Sequence, residues 1–280
     1  MRKIFLIPNV ITAFGLTCGL FVIFKTSLAD PGRDLFSLVQ ASAILLLIAA
    51  IADLADGAVA RLIKAESEFG GQFDSLSDSV TFGVAPPLLI LKSLGGEDIG
   101  RLLTFFVIIA AMIYSLCGVL RLVRYNVRSK KVQDQGDEEV KRQEKRHFTG
   151  LPIPAAAAAS VSAALILISP DIEGWLNLTA SGRAMILIGV LLVLGYFMVS
   201  RWKFPSVHAL HFRVPSFYLV FATGVVAVLF LYGILDFFAE AFFTITWLYL
   251  IIAWTLSIIR LIAGKRSKAL ADFEPDDHEE

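Results

Sequence analysis

Asp53-Leu54-Ala55-Asp56-Gly57-Ala58-Val59-Ala60-Arg61, followed after eight residues by Gly70-Gly71-Gln72-Phe73-Asp74-Ser75-Leu76-Ser77-Asp78, sets four aspartates into an apolar setting. Positions 53, 56, 57, 60 and 61 recur as i, i+3, i+4, i+7 and i+8, which is one face of a helix. Positions 70, 74 and 78 recur as i, i+4 and i+8, again one face. Ionisable side chains inside membrane-spanning segments are costly, and such a cluster marks a functional site.

The surrounding chain gives that cost its meaning. It has 280 residues, 56% of them apolar, with a mean hydropathy of +0.72. Apolar stretches near 20 residues recur along it, as expected of a polytopic membrane protein. The formal net charge is zero, so no bulk electrostatic attraction to nucleic acid is expected. Cys18 and Cys117 both fall in apolar stretches and read as small hydrophobes, with no disulfide framework. Arg2 and Lys3 ahead of an apolar run imitate a signal peptide, but Pro8-Asn9 interrupts the run and Ser27-Leu28-Ala29 is a weak cleavage site. A retained first helix is expected.

The fold class expected is all-α: a membrane helix bundle of about eight spans, at about 8–27, 37–63, 71–91, 102–123, 152–169, 184–200, 215–235 and 242–263. With the N-terminus cytoplasmic, 20 of the 25 Lys and Arg residues lie on inside segments and five outside. That asymmetry obeys the positive-inside rule and places both termini in the cytoplasm. Residues 1–263 then form the transmembrane domain. The charged loop 124–150 is cytoplasmic and mixes basic with acidic residues, which favours a solvated loop over a lipid-headgroup surface. The polar tail 264–280 is expected to be disordered. No internal repeat is present.

In this layout the second span runs inward and carries Asp53 and Asp56 to its cytoplasmic end. The third begins near Gly70 at the same depth, and the short connection 62–69 sets the two antiparallel. The four aspartates can therefore face one another at the inner membrane boundary. Four close carboxylates do not all stay ionised without cations between them. All-oxygen ligands suit hard divalent ions such as Mg²⁺, Mn²⁺ or Ca²⁺, and without a nearby His or Cys zinc is not expected. Two such ions suit phosphoryl transfer, with a carboxylate left to act as base. Gly57 and Ala60 leave room on the helix face, Arg61 can reach phosphate oxygens, and Gly70 and Gly71 permit close helix approach. A divalent-cation carrier is the competing reading. Its usual paired, Gly/Pro-broken helices are not evident.

The same residues carry a resemblance. Asp53 to Arg61 and Gly70 to Asp78 match the motif of the CDP-alcohol phosphatidyltransferase family at every fixed position and in spacing. The flanking stretches IPNVIT (7–12), DSLSDSVTFGVAPP (74–87), RLVRYN (121–126) and GLPIPAAA (150–157) resemble the subgroup that makes phosphatidylserine. The resemblance covers about residues 4–160. It implies that Asp53, Asp56 and Asp74 hold divalent metal, Mg²⁺ or Mn²⁺, as a pair of ions. It implies that Asp78 shares that metal and accepts the proton. Asn9, Thr12, Gly57, Ala60, Arg61, Ser67 and Gly70 correspond to the CDP-lipid site.

The implied reaction joins CDP-diacylglycerol to L-serine, giving phosphatidylserine and CMP, at the cytoplasmic face of a cell (inner) membrane. Lipid tails enter sideways from the bilayer, and the family is commonly homodimeric. Sibling acceptors are choline, glycerol 3-phosphate or an inositol phosphate. On the acceptor side, Arg121 and Arg124 can hold a carboxylate bidentately or simply anchor the fourth span, and Asn126 is a further candidate. His147 reads as a bystander. His208 and His211 have no local carboxylate partner and read as part of an interfacial loop with Trp202 and Phe204.

Overall fold

The computed structural model describes residues 6–30, 34–63, 67–95, 99–135, 147–170, 172, 178–200, 203–205 and 237–263. Helix α1 spans Leu6–Leu28 and α2 spans Leu35–Leu62. Asp34 starts α2 as its N-cap, accepting from the Phe36 and Ser37 amides at 3.1 and 3.3 Å and from the Ser37 hydroxyl at 2.6 Å. These bonds satisfy amides that no helical carbonyl can reach. They also hold the Asp34 carboxyl below its ordinary range, the Ser37 hydroxyl most of all.

The third span is not one regular helix. Helix α3 (Glu68–Asp78) runs through a π-helical segment, Ser79–Val84, into α4 (Ala85–Ser93). The cause is legible in Pro86-Pro87. Proline has no amide hydrogen, so Phe82 and Gly83 lose their i+4 donors. Inside the π segment the Ala85 amide reaches back to the Val80 carbonyl. The freed carbonyls are met from the next helix: the Tyr114 hydroxyl donates to Phe82 O at 3.3 Å and the Ser115 hydroxyl to Gly83 O at 2.8 Å. In an apolar medium a broken helix persists only when neighbours supply such donors.

Those donors lie on α5, Arg101–Gln135, which outruns the expected 102–123 and enters the charged segment. No Gly or Pro lies from Arg121 to Gln135, and the first, Gly136, comes directly after the helix, so nothing stops it earlier. Strand β1 (His147–Thr149) then pairs antiparallel with β2 (Lys203–Pro205), with Phe148 opposite Phe204. Among the described residues this three-residue ladder is the one strand pairing in a fold that is otherwise all-helical, as expected. Gly150 ends β1 at φ +86°, and a Cβ there would lie 2.5 Å from the Met198 carbonyl oxygen. Only glycine meets both conditions.

Helix α6 (Ile153–Leu167) is the centre of the bundle, with 11 of its 15 residues buried. At about 1.5 Å per residue it is shorter than a hydrocarbon core. Around it lie α7 (Ala180–Val199) and α8 (Phe238–Ala263), together with α2, α4 and α5. Tyr114, Ile153, Leu187, Leu191 and Leu194 make one apolar core, and Val39, Ala43, Leu89 and Leu165 a second.

Among the described residues, five helices are long and apolar enough to cross a membrane: Leu6–Leu28, Leu35–Leu62, Arg101–Val127, Ala180–Val199 and Phe238–Thr255. Phe14, Phe21, Phe105, Phe106, Leu116 and Leu120 stand exposed on α1 and α5, as lipid-facing side chains do. The expected span 215–235, the histidines at 208 and 211, most of the 124–150 loop beyond Gln135 and the tail 264–280 lie outside the described residues.

Glycine spacing sets how closely α1 approaches. Gly15 and Gly19 form a G-x-x-x-G pair, the spacing that lets helix backbones meet in a membrane. A Cβ at Gly15 would sit 3.6 Å from Ala49 O on α2. One at Gly19 would fall 2.8 Å from Thr81 Cβ and 2.9 Å from Thr81 Cα in the π segment. Helix α1 is thereby held against α2, which carries Asp53 and Asp56, and against the π segment that directly follows Asp78.

Candidate active site

The last turns of α2 and the length of α3 bring the aspartates together. One carboxylate oxygen from each of Asp53, Asp56 and Asp74 lies within 4.8 Å of the others. The carboxyls of Asp53 and Asp74 are within hydrogen-bonding reach. Asp78, one helical turn beyond Asp74, is buried and feels the charges of Asp53, Asp74 and Asp56. All four line one small pocket, with Thr12 and Thr81 beside them.

The donor set fits a hard divalent cation. It is all oxygen, and Asp74 Oδ1 is buried without a hydrogen-bond partner. A buried carboxylate oxygen left this way is destabilising unless a cation or ligand completes it. Asp53, Asp56 and Asp74 are the residues that could hold the ion, and Asp78 is placed to share it.

Helix α1 supplies a polar edge. The Thr12 hydroxyl is buried, donates to Asp56 Oδ2 and lies 3.1 Å from Pro8 O. One turn earlier, Asn9 meets the start of α3. There the Ser67 hydroxyl caps the helix, accepting from the Gly70 amide at 3.0 Å. A Cβ on Gly70 would come within 3.1 Å of Asn9 Oδ1 and 3.0 Å of Ser67 Oγ. Asn9, Ser67 and Gly70 thus form one cluster beside the carboxylates. Gly71 faces open space, so of the two glycines only Gly70 serves a close approach.

The remaining candidates separate. Arg61 is exposed, and its Nε donates to its own helix at Gly57 O, 2.9 Å away. Gly57 and Ala60 are half-buried beside it. Arg121 reaches inward from α5, where the charges of Asp78 and Asp53 act on it and its Nε lacks a hydrogen-bond partner. Arg124 is exposed and donates to Val199 O at 3.2 Å. It closes the C-terminus of α7, where cations are favoured. Asn126 donates to the Ser75 hydroxyl at 2.9 Å, fixing α5 to the residue that follows Asp74.

Comparison with known proteins decides the family. The model of the CDP-alcohol phosphatidyltransferase family matches residues 5–197. The chain belongs to that family. The match runs from α1 through most of α7 and contains every aspartate of the pocket. Curated relatives named CDP-diacylglycerol–serine O-phosphatidyltransferase are similar along much of the chain. One from Helicobacter pylori is 29% identical over 96% of this chain and 99% of its own. One from Methanocaldococcus jannaschii is 32% identical over 74% and 77%. One from Bacillus subtilis is 30% identical over 71% and 89%.

As a CDP-alcohol phosphatidyltransferase, the chain has further residues at its pocket that sequence reading passed over. Thr81 is buried, lines the pocket and has a partnerless hydroxyl. Ser77 reaches the Thr12 carbonyl at 3.5 Å, and Ser75 meets Asn126. Their only signal in sequence is a run of hydroxyl residues, 75, 77, 79 and 81, within the third span. Period two along a helix gives no common face, so pattern alone does not single them out.

Proposed function

We propose that this protein transfers the phosphatidyl group of CDP-diacylglycerol to L-serine, giving phosphatidylserine and CMP. The carrying observation is the pocket of four aspartates with an incomplete buried carboxylate, inside a family match whose curated relatives bear the serine enzyme's name. Asp53, Asp56 and Asp74 hold divalent metal, Mg²⁺ or Mn²⁺ and as two ions, with Asp78 shared. When bound, the metal supplies positive charge for the diphosphate and the leaving oxygen.

The chain's own residues do the rest. Asp78 accepts the proton of the serine hydroxyl. The serine oxygen forms its bond to the phosphorus that carries diacylglycerol, and the bond from that phosphorus to the CMP oxygen breaks. Arg121, facing the same carboxylates from α5, takes the serine carboxylate. Arg124 and Asn126 support this acceptor side from α5, Arg124 through its bond to the end of α7 and Asn126 through Ser75. Asn9, Thr12, Gly57, Ala60, Arg61, Ser67 and Gly70 form the CDP-lipid side, where the exposed Arg61 swings from its own helix onto phosphate.

The architecture proposed with this function is one transmembrane domain, 1–263, of about eight spans. Both termini are cytoplasmic, the polar tail is disordered, and the pocket sits at the cytoplasmic face of a cell membrane. The protein works as a homodimer.

An acceptor screen tests the assignment. Purified protein with CDP-diacylglycerol and Mg²⁺ or Mn²⁺ should label phosphatidylserine from serine and give no product from choline, glycerol 3-phosphate or inositol phosphate. CMP release with another acceptor alone moves the reading to a sibling enzyme. Metal flux into vesicles without CMP release moves it to a carrier.

A further inference from the structure

Phe82 and Gly83 sit one turn beyond Asp78, in the segment where the third span stops being α-helical. Pro86 and Pro87 deprive both carbonyls of their ordinary donors. For Phe82 the loss is double, since Pro86 would be its α-type partner and Pro87 its π-type partner. Both carbonyls are instead met by adjacent residues of α5, Tyr114 and Ser115. Tyr114 is fully buried. Ser115 is also 3.1 Å from Ala111 O in its own helix, and its contact to Gly83 O, at 2.8 Å, is the shorter. Gly118, one turn further along α5, lies within 3.9 Å of Gly83 Cα when a Cβ is built on it, so the two elements are in backbone contact there.

A π segment rotates everything before it relative to everything after it. Its geometry therefore sets the angle at which Asp78 and Asp74 meet Asp53 and Asp56. We infer that Tyr114 and Ser115 are positioning residues for the reaction: their hydroxyls lock the π segment and so fix Asp78 against the other three carboxylates. This rests on the function proposed above for the aspartate pocket. Neither residue touches the pocket. Two hydroxyls on consecutive residues, aimed at the two carbonyls that consecutive prolines release, make a paired device rather than incidental packing.

Single-substitution variants of the full-length enzyme test it. Ser115→Ala and Tyr114→Phe should lower kcat about 10-fold or more, since small displacements of reacting groups act on that scale. KM for CDP-diacylglycerol should stay within about twofold, because the binding contacts remain. Ser115→Thr, which keeps the hydroxyl, should recover kcat. In a Pro87→Ala background, the restored amide at 87 becomes a donor for Gly83 O. Ser115→Ala should then lose less, a non-additivity that a double-mutant cycle reads directly.

A second readout needs no turnover. Mn²⁺ affinity of the substrate-free protein, measured by electron paramagnetic resonance, should weaken in Ser115→Ala and recover in Ser115→Thr. Wild-type kcat or wild-type Mn²⁺ affinity in Ser115→Ala overturns the inference. So does a loss that Ser115→Thr leaves unrepaired. A wild-type protein that binds Mn²⁺ with this pattern but releases no CMP with any acceptor overturns the proposed function instead.

Discussion

The aspartate pocket of α2 and α3 and the contact of α6 with α8 both place polar atoms inside an apolar bundle, and they handle them in opposite ways. On α6 the Ser160 and Ser162 hydroxyls donate to their own helix, at Ala157 O and Ala159 O, 2.9 and 3.0 Å away. Thr246 of α8 donates to Phe242 O and lies 3.2 Å from Ser162 Oγ. Each of these hydroxyls is answered from within, and the only buried polar atoms left over on the described part of α8 are the neutral indole N–H groups of Trp247 and Trp254. In the pocket, like charges crowd together, Asp74 Oδ1 and Thr81 Oγ1 are buried without partners, and Thr12 answers only one aspartate. Polar groups satisfied internally serve packing. Crowded carboxylates left incomplete mark where something else completes the structure.

The strongest way to break this contrast is Asp74→Asn. The amide keeps size and removes charge. Turnover should fall about 1,000-fold or more, the scale of losing several kcal/mol of charge stabilisation at a phosphoryl-transfer site. In metal-free buffer the same variant should unfold at an equal or higher temperature, because a like-charge contact with Asp53 is relieved. CMP release and a thermal melt in detergent measure the two effects. An Asp74→Asn protein with turnover within tenfold of wild type, or one that melts well below it without metal, would show that the carboxylate serves structure rather than a ligand.

How much of this was legible in the sequence differs between the same two regions. The aspartates were readable because carboxylates in a membrane segment are costly and their spacing repeats on helical faces. Asp53, Asp56, Asp74 and Asp78 meet as the spacing predicts. The helix break after Asp78 was not read, although Pro86-Pro87 signals it. A proline pair marks where a helix is interrupted, but whether a π segment, a kink or a chain break results depends on donors 32 residues along the chain from the carbonyls they meet, at Tyr114 and Ser115. The extent of α5 was understated for a related reason: charge ends a membrane span but does not end a helix. On α6 the run of alanines specified a helix and close packing, yet nothing local told that it is the most buried element of the bundle. Burial of that kind is a property of the neighbours.

A substitution between the two regions sharpens the comparison at intermediate size. Gly19→Ala places a methyl where Thr81 Cβ and Cα already sit, at 2.8 and 2.9 Å. Backbone has to move, so the loss should be about 1–3 kcal/mol. It should also lower turnover, because Thr81 belongs to the π segment and lines the pocket. Thr81→Ala should not restore stability, since its own Cβ and Cα remain in the way. A Gly19→Ala protein with wild-type melting and turnover would mean that α1 can withdraw without disturbing the pocket.

The smallest effect belongs to Ser162→Ala. The Ala159 carbonyl that Ser162 contacts already has its helical donor in the Ala163 amide, four residues on in the same regular helix. Thr246 keeps its bonds to the Phe242 and Phe243 carbonyls. Nothing buried is left without a partner, so the loss is one interhelical hydrogen bond, about 0.6 kcal/mol in a membrane bundle. Turnover should stay within about twofold of wild type, because a residue whose removal leaves the packing satisfied does not transmit to the carboxylates. Thermal unfolding in detergent and CMP release check this. A tenfold fall in turnover would place the α6–α8 contact in the same functional unit as the aspartates and erase the distinction between them.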